Sequence, residues 1–303
     1  MRVVLASMNE IGKASLEALV KCVDLVGLFT PERRGTLYMD PTDFTELARR
    51  NHVPIYRVSD INSREAEEQI RSLNPDLGMS LGWKQIIKPH VLRIPRLGWI
   101  GGHPGKLLLN GEKIDPEVFS APGNEPMNYA ILGGFKRSGM TLMWLKSRVD
   151  AGEIFARGEV TIDTEHETSR SLLGKIAALT GRLLDETMPL MLAGRPPRFA
   201  QEMEHTQPFT PPLTAEGNRI DLSAPIEQTY RLIRACVYPY PNAFIDFYGQ
   251  RLYIEHARVE RGAFTELRIR NGGSPYACDQ AAAPPLSVQP HRIEDTRFAG
   301  SKQ

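Results

Sequence analysis

At 303 residues, with 41% hydrophobic and 24% charged side chains, the chain has the length for two globular domains. A formal net charge of +1 gives no global attraction to nucleic acid or to an anionic membrane. No apolar run approaches the roughly 18 residues of a membrane-spanning helix, and the opening MRVVLASMNEIG lacks the basic segment and long apolar stretch of a secretion signal. The three cysteines, Cys22, Cys236 and Cys278, have no metal-ligand spacing and suit a reducing compartment, so a cytoplasmic location is expected.

Residues 2–6 form a short apolar run that reads as a buried parallel strand. A helix is expected over 13–21, where Leu16, Leu19 and Val20 share a face. Residues 25–30 read as a second buried strand closed by Pro31, followed by a polar loop over 31–41 that should be mobile. A helix over 44–49 and a short strand over 53–56 come next, then a helix over 60–72 with Asn62 or Ser63 at its N-cap. Residues 77–81 read as a strand, and Trp99 and Ile100 belong to the one after it.

This alternation predicts an α/β fold with a doubly wound, mostly parallel sheet. Ligands in such sheets bind beyond the carboxyl ends of the strands. Both the 80–83 segment and Gly101-Gly102-His103 are expected just past strand ends. The first loop, ASMNEIG, is not a GxGxxG turn, which disfavours a dinucleotide-dependent dehydrogenase.

Further on, residues 172–192 form a long helix. Leu172, Leu173, Ile176, Leu179, Leu183, Leu184, Met188 and Met191 recur at three- and four-residue steps, and Pro189 should kink or end it. Pro-rich sequence over 194–212 marks a linker between domains at 1–193 and 213–270. A helix over 225–237 precedes a hairpin over 243–259, with Gly249-Gln250 as its two-residue turn. The Gly-, Ala- and Pro-rich end, 271–303, is expected to be a loosely ordered tail.

Four stretches in this order resemble the 10-formyltetrahydrofolate-dependent formyltransferase family, which includes methionyl-tRNA and sugar-nucleotide N-formyltransferases. They are MRVVLASMNEIGKASLEALV, PDLGMSLGWKQIIKPHVLRIPRLGWIGGHPG, EPMNYAILGGFKRSGMTLMWLKSRVDAGEIFARGEVTI and RIDLSAPIEQTYRLIRACVYPYPNAFIDFYGQRLYIEHARV. The resemblance covers about residues 1–260. It implies a Rossmann-like catalytic domain, a linker and a small β-barrel-like (OB-like) C-terminal domain. Tyr238-Pro239-Tyr240-Pro241 resembles the family's Pro-rich turn before the β domain.

The resemblance also implies the site. The family motif is Asn-x-His with a later Asp in Asp-x-Gly-x-Ile. His103 matches the histidine and Asp150 the aspartate. A carboxylate-held histidine can take or relay the proton an attacking amine must lose. Leu81, Gly82, Trp83, Ile86 and Ile87 match the loop that holds the folate, so 10-formyltetrahydrofolate is the implied formyl donor.

The position of the motif asparagine is Gly101, which has no side chain. In the family that amide donates to the developing oxyanion, a contribution worth about 2.7–4 kcal/mol in well-studied enzymes. Substitutes on hand are Asn110, Asn124, Asn128, Lys106 and the backbone N–H groups of Gly101, Gly102 and Gly105. Three readings accommodate Gly101: an active formyltransferase with another donor, transfer of a different one-carbon or acyl group, or a non-catalytic folate- or nucleotide-binding protein.

Residues 207–303 carry 11 Lys/Arg and 10 Asp/Glu, and Glu112, Asp115, Glu117 and Glu125 follow His103. RNA binding needs a basic surface. The balance favours a small amine, such as an amino-sugar nucleotide, over methionyl-tRNA. Lys136 and Arg137 could bind a substrate phosphate, with a solvated charge pair the plainer role. No membrane partner is expected, and a homodimer is left open.

Overall fold

The computed structural model describes residues 1–32, 41–214 and 216–271. Strands β1 (Arg2–Ala6), β2 (Asp24–Pro31), β3 (Ile55–Val58), β4 (Leu77–Ser80), β5 (Trp99–His103), β6 (Arg137–Trp144) and β7 (Ile154–Thr161) form one sheet. Their order is β3-β2-β1-β4-β5-β6-β7. The first five are parallel. β6 runs antiparallel to both β5 and β7. The order reverses at β1 and β4, so the crevice of this doubly wound sheet opens beside Ala6 and Ser80.

Helices cover both faces. α1 (Glu10–Leu19), α5 (Pro126–Leu132) and α6 (Ser169–Leu192) bury Leu16, Leu19, Ile131, Leu172, Ile176 and Leu184 against one face. α3 (Arg64–Ser72) and the single turn α4 (Pro89–Leu92) bury Ala66, Ile70 and Val91 with Val4, Phe29 and Trp99 on the other. The short α2 (Thr45–Arg50) lies between β2 and β3 in the chain. None of the described helices is long and apolar enough to cross a membrane.

Three local differences from the expectations have physical causes. α1 starts at Glu10, earlier than the apolar spacing implies, because the Asn9 side chain accepts from Ile11 N–H and caps it. α6 begins behind a reciprocal cap between Thr168 and Ser171 and continues to Leu192. Pro189 therefore sits inside the last turn of the helix, three residues before its end at Leu192, instead of ending it. His103 is the last residue of β5 and lies within the strand.

Past α6 the chain is not a free connector. Phe199 pairs with Ile154, Gln201 with Leu109 and Thr210 with Gly123, so this stretch lies along the edge of the first domain. α7 (Ile226–Ala235) then packs Ile233 and Ala235 into the main core. β8 (Ala243–Phe247), β9 (Gln250–Glu260) and β10 (Ala263–Asn271) form the C-terminal antiparallel sheet. The β8–β9 turn is Tyr248-Gly249, one residue before the expected Gly249-Gln250. Both residues have positive φ, +46° and +75°, which is the conformation of a type I′ hairpin turn. The expected tail lies outside the described residues apart from Asn271, which ends β10, as does most of the expected 31–41 loop.

Candidate active site

His103 ends β5 on the face that holds Trp99, and it is only 3% exposed. Its ring contacts two groups. Nδ1 lies 3.6 Å from Asp150 Oδ2, and Nε2 lies 2.9 Å from the Ala121 carbonyl oxygen. A carbonyl only accepts, so Nε2 carries a proton in this contact. With Nε2 alone protonated, the Nδ1 lone pair faces a carboxylate. The ring fits because residue 105 is glycine, whose missing Cβ would stand 2.8 Å from Nε2.

Asp150 belongs to the loop between β6 and β7 and has φ +50°, in the left-handed region. Two bonds hold it there. Gly123 N–H donates to Oδ2 at 3.0 Å, and Gln201 Nε2 donates to the Asp150 carbonyl at 2.8 Å. The expected partners, 47 positions apart by their numbering, are thus brought into contact. Ala121, Gly123 and Gln201 were not expected at the site. Their contacts span 18, 27 and 51 positions and leave no local pattern in sequence.

Residues 107–123 pack beside this pair. Phe119 and Ala121 are buried in the main core. A charge network fastens the segment to β6 and β7: Lys106 to Glu112 and Glu159, Arg137 to Asp115 and Glu159, Arg157 to Glu112 and Lys136 to Glu117. Burial opposes ionisation of Glu112, but the bonds from Arg157, Leu109 N–H and Lys106 outweigh it and hold the carboxyl down at about 2. Lys136 and Arg137 are therefore committed to protein carboxylates in this arrangement.

The substitute donors meet the same difficulty. Lys106 is paired, Asn124 donates to Thr210 O, and buried Asn128 donates to Ala235 O. Asn110 is exposed, and Gly105 N–H donates to the His103 carbonyl. Gly101 and Gly102 lie within the sheet. A Cβ on Gly101 would overlap Leu145 Cδ2, so Leu145 covers the place of the absent side chain.

The loop after β4 brings together only part of the expected folate set. Leu81 and Ile87 are buried in the two cores, on opposite faces. Gly82 turns the chain at φ +67° and accepts from Met8 N–H. Trp83 packs against both cores with its indole N–H buried and unpartnered, whereas Ile86 is 65% exposed. The loop's shape is set by residues outside the expected set. Gln85 bonds Ile61 N–H and Ser59 O, Asn62 bonds Ile86 O and Lys88 N–H, and Lys84 pairs with Glu125 at 2.7 Å.

His103 and Asp150 thus form an imidazole–carboxylate pair at the carboxyl end of β5 in a doubly wound α/β sheet. Residues 31–188 match the family model "Formyl transferase", and residues 212–280 match "Formyl transferase, C-terminal domain". The chain belongs to the formyl transferase family and is a formyl-transferring enzyme. It is 29% identical over 269 residues to methionyl-tRNA formyltransferase of Bacillus velezensis, spanning 86% of this chain and 80% of the relative. Its fold is shared with methionyl-tRNA formyltransferase from Clostridium thermocellum, at TM-score 0.61, 18% identity and coverage of 90% and 100% of the two chains. It is also shared with an N-formyltransferase from Helicobacter canadensis in complex with folinic acid and dTDP-3-aminofucose, at TM-score 0.61, 15% identity and coverage of 89% and 95%.

Proposed function

We propose that the enzyme transfers a formyl group from 10-formyltetrahydrofolate to a primary amine of a small substrate such as an amino-sugar nucleotide. The observation that carries this reading is the His103–Asp150 contact at the carboxyl end of β5. The loop over 81–87, held by Gln85 and Asn62, follows β4 directly and carries the exposed apolar Ile86, which fits a flat heterocyclic donor. When bound, that donor supplies the formyl carbon: a C–N bond to the amine forms, the bond to N10 breaks, and one proton passes from amine to N10. Asp150, with its side chain 17% exposed against 4% for His103, is the accessible end of the pair. It orients the amine and shares its proton with His103. With Nε2–H given to Ala121 O, Nδ1, the nitrogen that faces Asp150, is the one that takes up that proton.

The acceptor side carries paired charges, not a basic stripe. Glu112, Asp115 and Glu117 are all matched to Lys or Arg. A small amine suits that surface better than an RNA backbone does. Methionyl-tRNA is the second reading, favoured by the named activity of the Bacillus relatives. In the proposed organisation, residues 1–193 form the catalytic domain, 194–212 the linker and 213–270 the C-terminal domain, and the enzyme works in the cytoplasm.

The test is tetrahydrofolate release from 10-formyltetrahydrofolate with a panel of nucleotide-linked amino sugars, free amines and methionyl-tRNA. Release with an amino-sugar nucleotide supports the first reading. Release with methionyl-tRNA alone replaces it with the second. Binding of the donor without release to any amine marks a binding protein.

A further inference from the structure

We propose that the Ser80 hydroxyl is a catalytic hydrogen-bond donor to the formyl oxygen, a role that no side chain at Gly101 can fill. The inference rests on the formyl-transfer reading above. Attack on a formyl carbon moves negative charge onto its oxygen, and a donor positioned there is commonly one of the largest contributions to rate. His103 and Asp150 do not provide it. The Nε2 proton is given to Ala121 O, and the Asp150 carboxylate only accepts.

Strand register brings Ser80 to the right place. β4 and β5 are parallel neighbours in which Ser80 pairs with Gly101. Paired positions on adjacent strands lie about 4.8 Å apart with their side chains on the same face. Trp99 identifies that face, because a Cβ on Gly78 would overlap its ring. Ser80 is two residues beyond Gly78, and Gly101 and His103 are two and four beyond Trp99. The period of two therefore puts Ser80, the Gly101 position and His103 on one face at the carboxyl ends of their strands. Ser80 also pairs with Ala6 across the strand-order reversal, at the mouth of the crevice.

Ser80 is half-buried, and no hydrogen bond among the described residues involves its hydroxyl. Other polar side chains near the crevice are less suited. The Ser7 hydroxyl and the Trp83 indole N–H are unpartnered but sealed from solvent. Leu145 closes over Gly101, which leaves the neighbouring strand as the source of a side-chain donor. A serine hydroxyl has one rotatable O–H, the type of group the oxygen requires.

The experiment has two arms. In the first, a formyl-labelled donor analogue (10-formyl-5,8-dideazafolate carrying a carbon-13 formyl group) is bound, with no acceptor amine present, to the wild-type protein and to Ser80→Ala. Isotope-edited infrared spectroscopy reads its C=O stretch. The expected result is a lower frequency in the wild type that returns toward the solution value in Ser80→Ala. In the second arm, Ser80→Ala lowers kcat/KM about a hundredfold with donor binding unchanged, and Ser80→Thr, which keeps the hydroxyl, restores most of it. Identical infrared bands in both proteins overturn the Ser80 assignment and leave the formyl-transfer reading standing. Failure of the wild type to bind the analogue overturns both.

Discussion

Leu145 Cδ2 occupies the space into which a Cβ on Gly101 would project, so these two residues form one packed unit at the centre of the site. Installing an asparagine at 101 does not simply restore an amide. Gly101→Asn is expected to be overpacked and less stable by about 1–3 kcal/mol. Adding Leu145→Ala should recover much of that loss. Denaturant unfolding of the two single variants and the double variant checks this. Additive effects would show that the residues do not compete for the same space.

His103 and Asp150 should be needed for turnover and dispensable for holding the donor. His103→Ala and Asp150→Asn are expected to lower kcat/KM by about 10²–10⁴-fold while a folate analogue still binds. Steady-state kinetics with the accepted amine, alongside calorimetric binding, would test the pair. Unimpaired turnover in His103→Ala would sink the assignment.

Gln201 holds the Asp150 backbone at φ +50° from about fifty residues away. Gln201→Ala should free that loop and lower kcat by up to about a hundredfold through misplacement of the carboxylate. The loss of a single hydrogen bond should cost stability only about 1 kcal/mol. A thermal melt and a kcat–pH profile separate the two effects. An unchanged profile and kcat would reduce Gln201 to a packing residue.

Glu112 links the 107–123 segment to pH. Its folded pKa, about 2, lies below the roughly 4.3 of an unfolded glutamate. A depressed carboxyl contributes its full stability above the unfolded value and loses it as pH falls toward the folded one. Glu112→Gln is therefore expected to be less stable than wild type near pH 7, by about 1–3 kcal/mol, with the gap closing between about pH 4.5 and pH 2. Urea midpoints across that range provide the measurement. A gap that widens on acidification would reverse the sign.

Much of the doubly wound sheet is legible in sequence because its strands are nearly continuous apolar runs with turn residues between them. Residues 2–6 and 25–30 are of this kind, and both are strands. β10 is harder to read. Its Glu266 and Arg268 alternate with half-buried neighbours on a three-stranded sheet, and it runs to the start of the Gly-rich end. The hairpin turn was displaced by one residue because Tyr248, a strand-forming type, adopts positive φ there and is 92% exposed. At the site, residue types can nominate His103 and Asp150. The Ala121 carbonyl, the Gly123 N–H and the cover of Leu145 over Gly101 depend on chain crossings that no local spacing encodes.

The edge pairing of Phe199, Gln201 and Thr210 has a consequence for how this enzyme can be divided. The stretch after α6 is bridged to Ile154, Leu109 and Gly123 of the preceding chain. A chain cut after residue 193 would keep His103 and Asp150 yet lose the Gln201 bond to the Asp150 carbonyl, and with it Thr210, whose hydroxyl contacts the Pro122 and Asn124 carbonyls. A boundary drawn at the end of α6 therefore separates Asp150 from a residue that bonds it. A fusion or domain exchange that keeps these contacts carries residues 199–210 along with residues 1–193.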